Sequence, residues 1–189
     1  SMVVFVSLFL QSINQIFAPT IAELYAKGER DLLVHLYQAL TKWALGLTLP
    51  LALGMMIFAK PLMGIFGPDF REGWPVLVIA TVGQLVNCGV GSVGNLLFMS
   101  DQQNRVVRAQ AITVFITLGL NFALIPRWGL IGAAIATAAT NTSLNLLWLR
   151  DVRKRLLLSP SGRGYASLLL PTVVSLVVLT LVKTFVKIH

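Results

Sequence analysis

Neutral amide side chains are spread through the most apolar parts of this 189-residue chain. Eight of them are candidates for lining a route for a polar substrate: Gln11, Asn14, Gln15, Asn87, Asn95, Asn121, Asn141 and Asn145. An amide both donates and accepts hydrogen bonds, and in apolar surroundings it needs a partner. Hydrogen bonding between neighbouring helices is the simpler explanation for the presence of each amide in an apolar segment. A cavity lined by these groups would instead suit a sugar-like substrate, and both interpretations stay open at this point.

Groups that could carry catalysis or hold a metal ion are scarce. Cys88 is the only cysteine of the chain, and its two histidines, His35 and His189, are far apart in sequence. A lone cysteine excludes both an intrachain disulfide and a multi-cysteine metal site. The segment 89–94, GVGSVG, matches a dinucleotide-binding fingerprint, but that motif works at a strand-to-helix turn and here lies within an apolar helix. We therefore predict no enzyme, no catalytic residue, no metal site and no cofactor.

The elements that must position the amides are six stretches without Lys, Arg, Asp or Glu: 1–22, 43–59, 73–100, 109–126, 128–149 and 164–182. About 20 apolar residues in a helix cross the hydrocarbon core of a bilayer. The pattern predicts an all-α integral membrane protein with about six transmembrane helices. A soluble helical bundle would show polar helix faces, and an outer-membrane barrel would alternate polar and apolar residues.

The segments between the spans, together with the prolines and glycines within them, predict further features of the fold. Residues 23–42 combine charges with leucines at helical spacing, which predicts an amphipathic interfacial helix that leads into the second span. The turn 126–129 is so short that the fourth and fifth spans should form a hairpin. The third span, 74–98, exceeds what a bilayer requires and is expected to be tilted, broken or extended. Proline and glycine within the spans give four hinge candidates: Pro50, Gly89, Gly91 and Gly94.

The net charge of +8 reflects membrane topology rather than binding to nucleic acid. One side of the bilayer receives ten basic residues: Lys27, Arg30, Lys42, Arg105, Arg108, Arg150, Arg153, Lys154, Arg155 and Arg163. The other side receives five: Lys60, Arg71, Arg127, Lys183 and Lys187. Because cytoplasmic loops are enriched in Lys and Arg, the first side is predicted to be cytoplasmic.

Three segments carry a resemblance to a known family. They are FAPTIAELYAKG (17–28), the stretch 49–69 with LP, FAKPL and FGPD, and LIPRWGLIGAA (124–134). In this order and spacing they resemble the polysaccharide biosynthesis and O-antigen flippase family, within the multidrug/oligosaccharidyl-lipid/polysaccharide exporter superfamily. The resemblance extends over about residues 14–150.

The resemblance implies a MATE-like transporter of two lobes, of which this chain would be the C-terminal one. Residues 1–150 would form the transmembrane bundle of that lobe, 151–163 a basic cytoplasmic loop that sets topology, and 164–189 an additional helix. Its partners would be the lipid bilayer, the missing N-terminal lobe of the same polypeptide and the substrate. The basic cavity residues of the family have no match in these spans.

By the same resemblance, the protein would move lipid-linked oligosaccharide, carried on undecaprenyl pyrophosphate, across the bacterial inner membrane by alternating access. One alternative is a multidrug or cation antiporter of the same superfamily, which is expected to carry a coupling carboxylate within the spans. Another is a non-transporting polytopic protein of lipid-linked sugar synthesis, which would need clustered carboxylates or histidines near the membrane.

Overall fold

The computed structural model describes residues 4–100, 102–156 and 169–188. In chain order it contains α1 (Val4–Lys27), α2 (Arg30–Ile57), α3 (Ala59–Gly64), a 3₁₀ helix (Pro68–Gly73), α4 (Trp74–Val90), α5 (Val93–Met99), α6 (Gln103–Asp151), a π-helical turn (Val152–Leu156) and α7 (Leu169–Ile188). Within these ranges every regular element is a helix, which confirms the all-α membrane fold.

Three stretches of the described residues are long and apolar enough to cross a membrane: Arg30–Ile57, Pro68–Val90 and Gln103–Lys154. The total of about six spans stays a prediction. Most of the predicted basic loop, and the start of the predicted last span, lie outside the described residues. The division into lobe, loop and additional helix is likewise still a prediction.

The chain turns between α1 and α2 at Gly28, whose φ of 72° is a conformation that glycine adopts without strain. Residues 23–42 therefore do not form one separate interfacial helix: the first part ends α1, and the rest is continuous with α2 through Pro50. At the exposed end of α1, the Lys27 ammonium donates a 2.5 Å hydrogen bond to Glu23, which lowers the pKa of that carboxyl. An exposed pair of this kind contributes little to stability.

The third predicted span is broken between α4 and α5. Gly91 has φ 75° and ψ −152°, a region that is almost exclusive to glycine. A Cβ atom at this position would lie 2.2 Å from Oγ1 of Thr41 on α2. The break thus lets α2 approach the backbone of the chain very closely.

Helix α6 is a hairpin of two arms, 103–128 and 130–151, which reverse direction at Gly129 (φ 53°, ψ −127°). The Thr117 hydroxyl lies 3.3 Å from that of Thr140, and the Arg105 guanidinium lies 3.5 Å from the Asp151 carboxylate. These pairs lie at similar distances in sequence from Gly129 on each side, as antiparallel arms require. The predicted hairpin is confirmed.

The main core forms where α1, α2, α5 and the ends of α6 meet. Its fully buried side chains include Ile21, Tyr37, Val93, Leu96 and Leu97. Helix α4 packs against both α2 and α6, and α7 packs against α2. The break at Gly91 therefore lies beside the main core of the bundle.

Candidate functional site: an amide-lined pocket at a helix break

An open pocket of about 290 Å³ lies beside the break between α4 and α5. Its lining consists of Gln11, Asn14, Asn87, Gly91, Ser92, Gly94, Asn95, Phe98, Val106, Gln110, Asn145 and Trp148. These residues come from α1, from α4 and α5 on both sides of the break, and from both arms of α6. We call this cavity the amide pocket, because six of its twelve lining side chains are amides.

The break is held in place by a side chain from α2. The buried Tyr37 hydroxyl donates a 2.7 Å hydrogen bond to the carbonyl oxygen of Val90, the last residue of α4. Carbonyls at a helix end have no partner within the helix, so this bond satisfies one that would otherwise be left unpaired. Tyr37 and the close approach of Thr41 to Gly91 together fix where α4 stops and the pocket opens.

Two of the amides are oriented by hydrogen bonds. The Ser92 hydroxyl donates to Oδ1 of Asn14, which joins α1 to the break. On α6, Nδ2 of Asn145 donates to the backbone carbonyl of Asn141 at 2.9 Å, so its amide is held against its own helix. Asn145 is 6% exposed, which leaves its side chain to the pocket rather than to solvent.

Trp148 supplies the aromatic surface of the pocket. A Cβ atom on Gly94 would lie 2.9 Å from its ring, so the ring packs on α5 at a contact that only glycine permits. Its indole nitrogen is buried, and among the described residues it has no hydrogen-bond acceptor. Buried indole N–H groups usually have a partner, so this donor is one that the described residues leave unsatisfied.

The described residues that line the amide pocket carry no charged side chain. Its donors and acceptors are amides, one hydroxyl, one indole and the backbone at the break. Such a surface can hydrogen-bond a neutral, hydroxyl-rich group in either direction. Within the described part of the chain, the lining includes no carboxylate or imidazole.

The structure brings together five of the eight predicted amides: Gln11, Asn14, Asn87, Asn95 and Asn145. The other three do not line the pocket. Gln15 and Asn141 are exposed, and Asn121 lies half-buried near the far end of the first arm of α6.

Sequence reasoning missed Ser92, Gln110 and Trp148. Gln110 lies two residues from Arg108, at the start of a charge-free stretch, and is not among the predicted amides. Trp148 lies at the end of a charge-free stretch, where a tryptophan is typical of an interfacial anchor, and nothing in the sequence pairs it with Gly94.

Among the hinge candidates, Gly91 alone lies at a break between helices. Pro50 and Gly89 lie inside continuous helices, and Gly94 lies in α5 against Trp148.

Comparison with known proteins gives the family. The family model described as "Lipid II flippase MurJ" matches residues 2–189. The chain belongs to the MurJ lipid II flippase family. This confirms the predicted flippase relationship at that level, and the members of this family are transporters of the flippase type rather than enzymes. Assignment to the O-antigen branch stays a prediction.

Relatives and a solved structure agree with this family. The chain is 30% identical over 146 residues to the "Probable low-salt glycan biosynthesis flippase Agl15" of Haloferax volcanii, a match that covers 75% of the chain and 31% of that protein. It is 32% identical over 111 residues to the "Probable flippase AglR" of the same organism, covering 57% of the chain and 23% of that protein.

The solved structure is that of the lipid II flippase MurJ in an inward closed conformation. It matches the whole chain with a TM-score of 0.62 at 14% identity, which shows a shared fold, and the chain covers 48% of it. The chain thus spans about a third or less of the two Haloferax relatives and about half of the solved flippase.

Proposed function

We propose that this chain is one lobe of a two-lobed flippase and that the amide pocket lines the route of a lipid-linked oligosaccharide. The observation that carries the proposal is the convergence of five predicted amides from α1, α4, α5 and α6 on one uncharged pocket. Membership of a flippase family supplies the reaction class, which is movement of a lipid-linked precursor across the membrane.

The chemistry of the pocket suits the sugar portion of such a substrate. Sugar hydroxyls both donate and accept hydrogen bonds, as do the side-chain amides of Asn14, Asn95 and Asn145. The buried Trp148 indole adds a further donor and an aromatic face. A cation antiporter is expected to carry an ionisable group in its substrate site, and the described residues that line this pocket include none. We expect the lipid pyrophosphate, undecaprenyl pyrophosphate in a bacterial inner membrane, to be bound outside this pocket.

Transport would proceed by alternating access, in which this lobe rocks against the N-terminal lobe of the same polypeptide. Gly91 is the hinge candidate for this motion, since α4 ends at Val90 and α5 begins only at Val93. An engineered crosslink that locks the two lobes together should abolish transport. Unimpaired transport by the locked protein would exclude the rocking mechanism.

The position of the substrate can be tested with a lipid-linked oligosaccharide that carries a photoreactive group on its sugar. Irradiation of the intact protein with this probe should label Asn95, Gln110 or Asn145, with the labelled residue located by sequencing the peptides, and excess unlabelled substrate should suppress the labelling. The exposed Asn141 and the distant Asn121 serve as internal controls. Labelling confined to the control positions would contradict the assignment of the pocket.

A further inference from the structure

A second, larger cavity lies between the two arms of the α6 hairpin, at the end predicted to be cytoplasmic. It has a volume of about 730 Å³, and the described residues that line it lie within 102–112 and 147–154. Among them are four cationic side chains, those of Arg105, Arg108, Arg150 and Lys154, and one carboxylate, that of Asp151. We call this cavity the basic groove. Its excess of positive charge fits an anion.

The basic groove is separate from the amide pocket. The two cavities share no lining residue, although α6 contributes to both. On the first arm, Val106 and Gln110 belong to the amide pocket, whereas Arg105 and Arg108 belong to the groove. The hairpin therefore presents one face to the proposed sugar route and a different face to the groove.

One of the arginines is already oriented. The Arg105 guanidinium lies 3.5 Å from Asp151 across the two arms, and its Nε donates a 3.0 Å hydrogen bond to Gln102. Arg108, Arg150 and Lys154 are exposed and form no ion pair among the described residues. Three cations are thus free to meet an anion beside one that is held in place.

The groove continues into an apolar stripe along the first arm. Arg108, Ile112, Phe115 and Phe122 recur at intervals of three, four and seven residues, which places them on one face of a helix. Their apolar members become more exposed away from the groove: Ile112 45%, Phe115 75% and Phe122 89%. The stripe runs from the cytoplasmic end towards the hairpin turn, in the direction of the bilayer interior.

A basic groove that leads into an apolar, exposed stripe has the layout of a lipid: a charged head at the membrane surface and a chain below it. Basic pockets between helices on the cytoplasmic side commonly bind anionic lipid headgroups. We propose that the basic groove binds the phosphate of an anionic membrane phospholipid, with an acyl chain along Ile112, Phe115 and Phe122. This inference does not rest on the proposed transport function, because it concerns a resident lipid on another face of α6.

The test measures binding of fluorescent phosphatidylglycerol to the intact purified protein in a neutral detergent. Arg108→Gln with Arg150→Gln removes two cations of the groove. A near-surface cation contributes about fivefold to the affinity for anionic lipid, so the pair should weaken binding by about 25-fold. The matched control, Arg71→Gln with Arg127→Gln, removes the same charge from exposed residues that do not line the groove, and it should leave affinity within about twofold.

Two further variants distinguish a specific loss of lipid binding from a loss caused by misfolding. Ile112→Glu keeps all four cations but places a carboxylate in the groove, and it should weaken binding. Val114→Glu, at an exposed position outside the groove, should not. Equal weakening by both arginine pairs, or no effect of the groove variants, would overturn the proposal. It would also fail if the groove variants lost affinity for a polyprenyl pyrophosphate while phosphatidylglycerol binding was unchanged, since the groove would then belong to a substrate.

Discussion

Replacement of Gly91 by alanine should strongly destabilise the bundle, because two separate features of the structure require glycine there. The first is the backbone, with φ 75° and ψ −152°, where a residue with a side chain is strained by about 1–3 kcal/mol. The second is Thr41, whose Oγ1 and Cγ2 would lie 2.2 Å and 2.9 Å from the new Cβ. Overpacking of this kind costs about 1–3 kcal/mol. The free energy of unfolding should therefore fall by about 2–6 kcal/mol.

The two contributions can be separated by a double-mutant cycle with Thr41→Ala. This second change removes Oγ1 and Cγ2, the two atoms nearest to the new Cβ, keeps the Cβ of residue 41 at 3.0 Å, and leaves the backbone of Gly91 as it is. In that background, Gly91→Ala should lower the free energy of unfolding mainly by the backbone contribution of about 1–3 kcal/mol. The assay is equilibrium unfolding of the purified protein in mixed detergent micelles, followed by tryptophan fluorescence.

Gly119→Ala is the matched control for this prediction. Gly119 lies within α6, and no atom lies within 4 Å of the position its Cβ would take. Alanine in a helix is favoured over glycine by about 0.5–1 kcal/mol, so this variant should be as stable as the wild type or slightly more so. If Gly91→Ala unfolded at the same midpoint as Gly119→Ala, the helix break and its contact with Thr41 would be refuted.

Two further predictions concern the walls of the amide pocket and the hairpin. Gly94→Ala should displace the Trp148 ring, which a Cβ would approach to 2.9 Å, and so shift the fluorescence emission of Trp148. The same substitution in a Trp148→Phe background shows how much of the change comes from the other tryptophans. If the emission of Trp148 itself were unchanged, the contact between Gly94 and Trp148 would be contradicted. In a Cys88→Ala background, Thr117→Cys with Thr140→Cys should form a disulfide on mild oxidation, because the two native hydroxyls lie 3.3 Å apart. Variants with either cysteine alone give the background level of crosslinking. Failure of the pair to crosslink above this level would argue against the antiparallel arms.

The helical framework could be predicted from charge alone, because lipid requires long uncharged segments with internally satisfied backbones. The turn at Gly129 was also predictable, since only four residues separate two apolar stretches. The boundary at Gly28 was not, because an isolated glycine within a helical pattern is tolerated and does not by itself mark a turn. The break at Gly91 was only one of three possibilities for an overlong span. Its position depends on Tyr37 and Thr41, some 50 residues earlier in the sequence.

The sequence predicted that amide side chains could line a cavity, but it did not predict which of the amides would do so. Amides in an apolar setting must face partners or a cavity, and this requirement selected Asn14, Asn87 and Asn145, which line the pocket. Asn141 and Asn145 occupy the same predicted helical face, yet packing leaves Asn141 exposed and buries Asn145. A helical repeat gives the face of a residue, whereas the neighbours that cover that face are set by the tertiary fold.

The most direct test of the proposed function is the rate at which a lipid-linked oligosaccharide crosses vesicles that contain the intact protein. Asn14→Ala with Asn145→Ala removes two amides of the pocket, and Gln15→Ala with Asn141→Ala removes two amides outside it. Loss of hydrogen bonds worth about 1–1.5 kcal/mol each should slow transport at low substrate concentration by about 30- to 150-fold in the first pair. The second pair should transport at the wild-type rate. Equal rates in the two pairs would contradict the amide pocket as part of the substrate route.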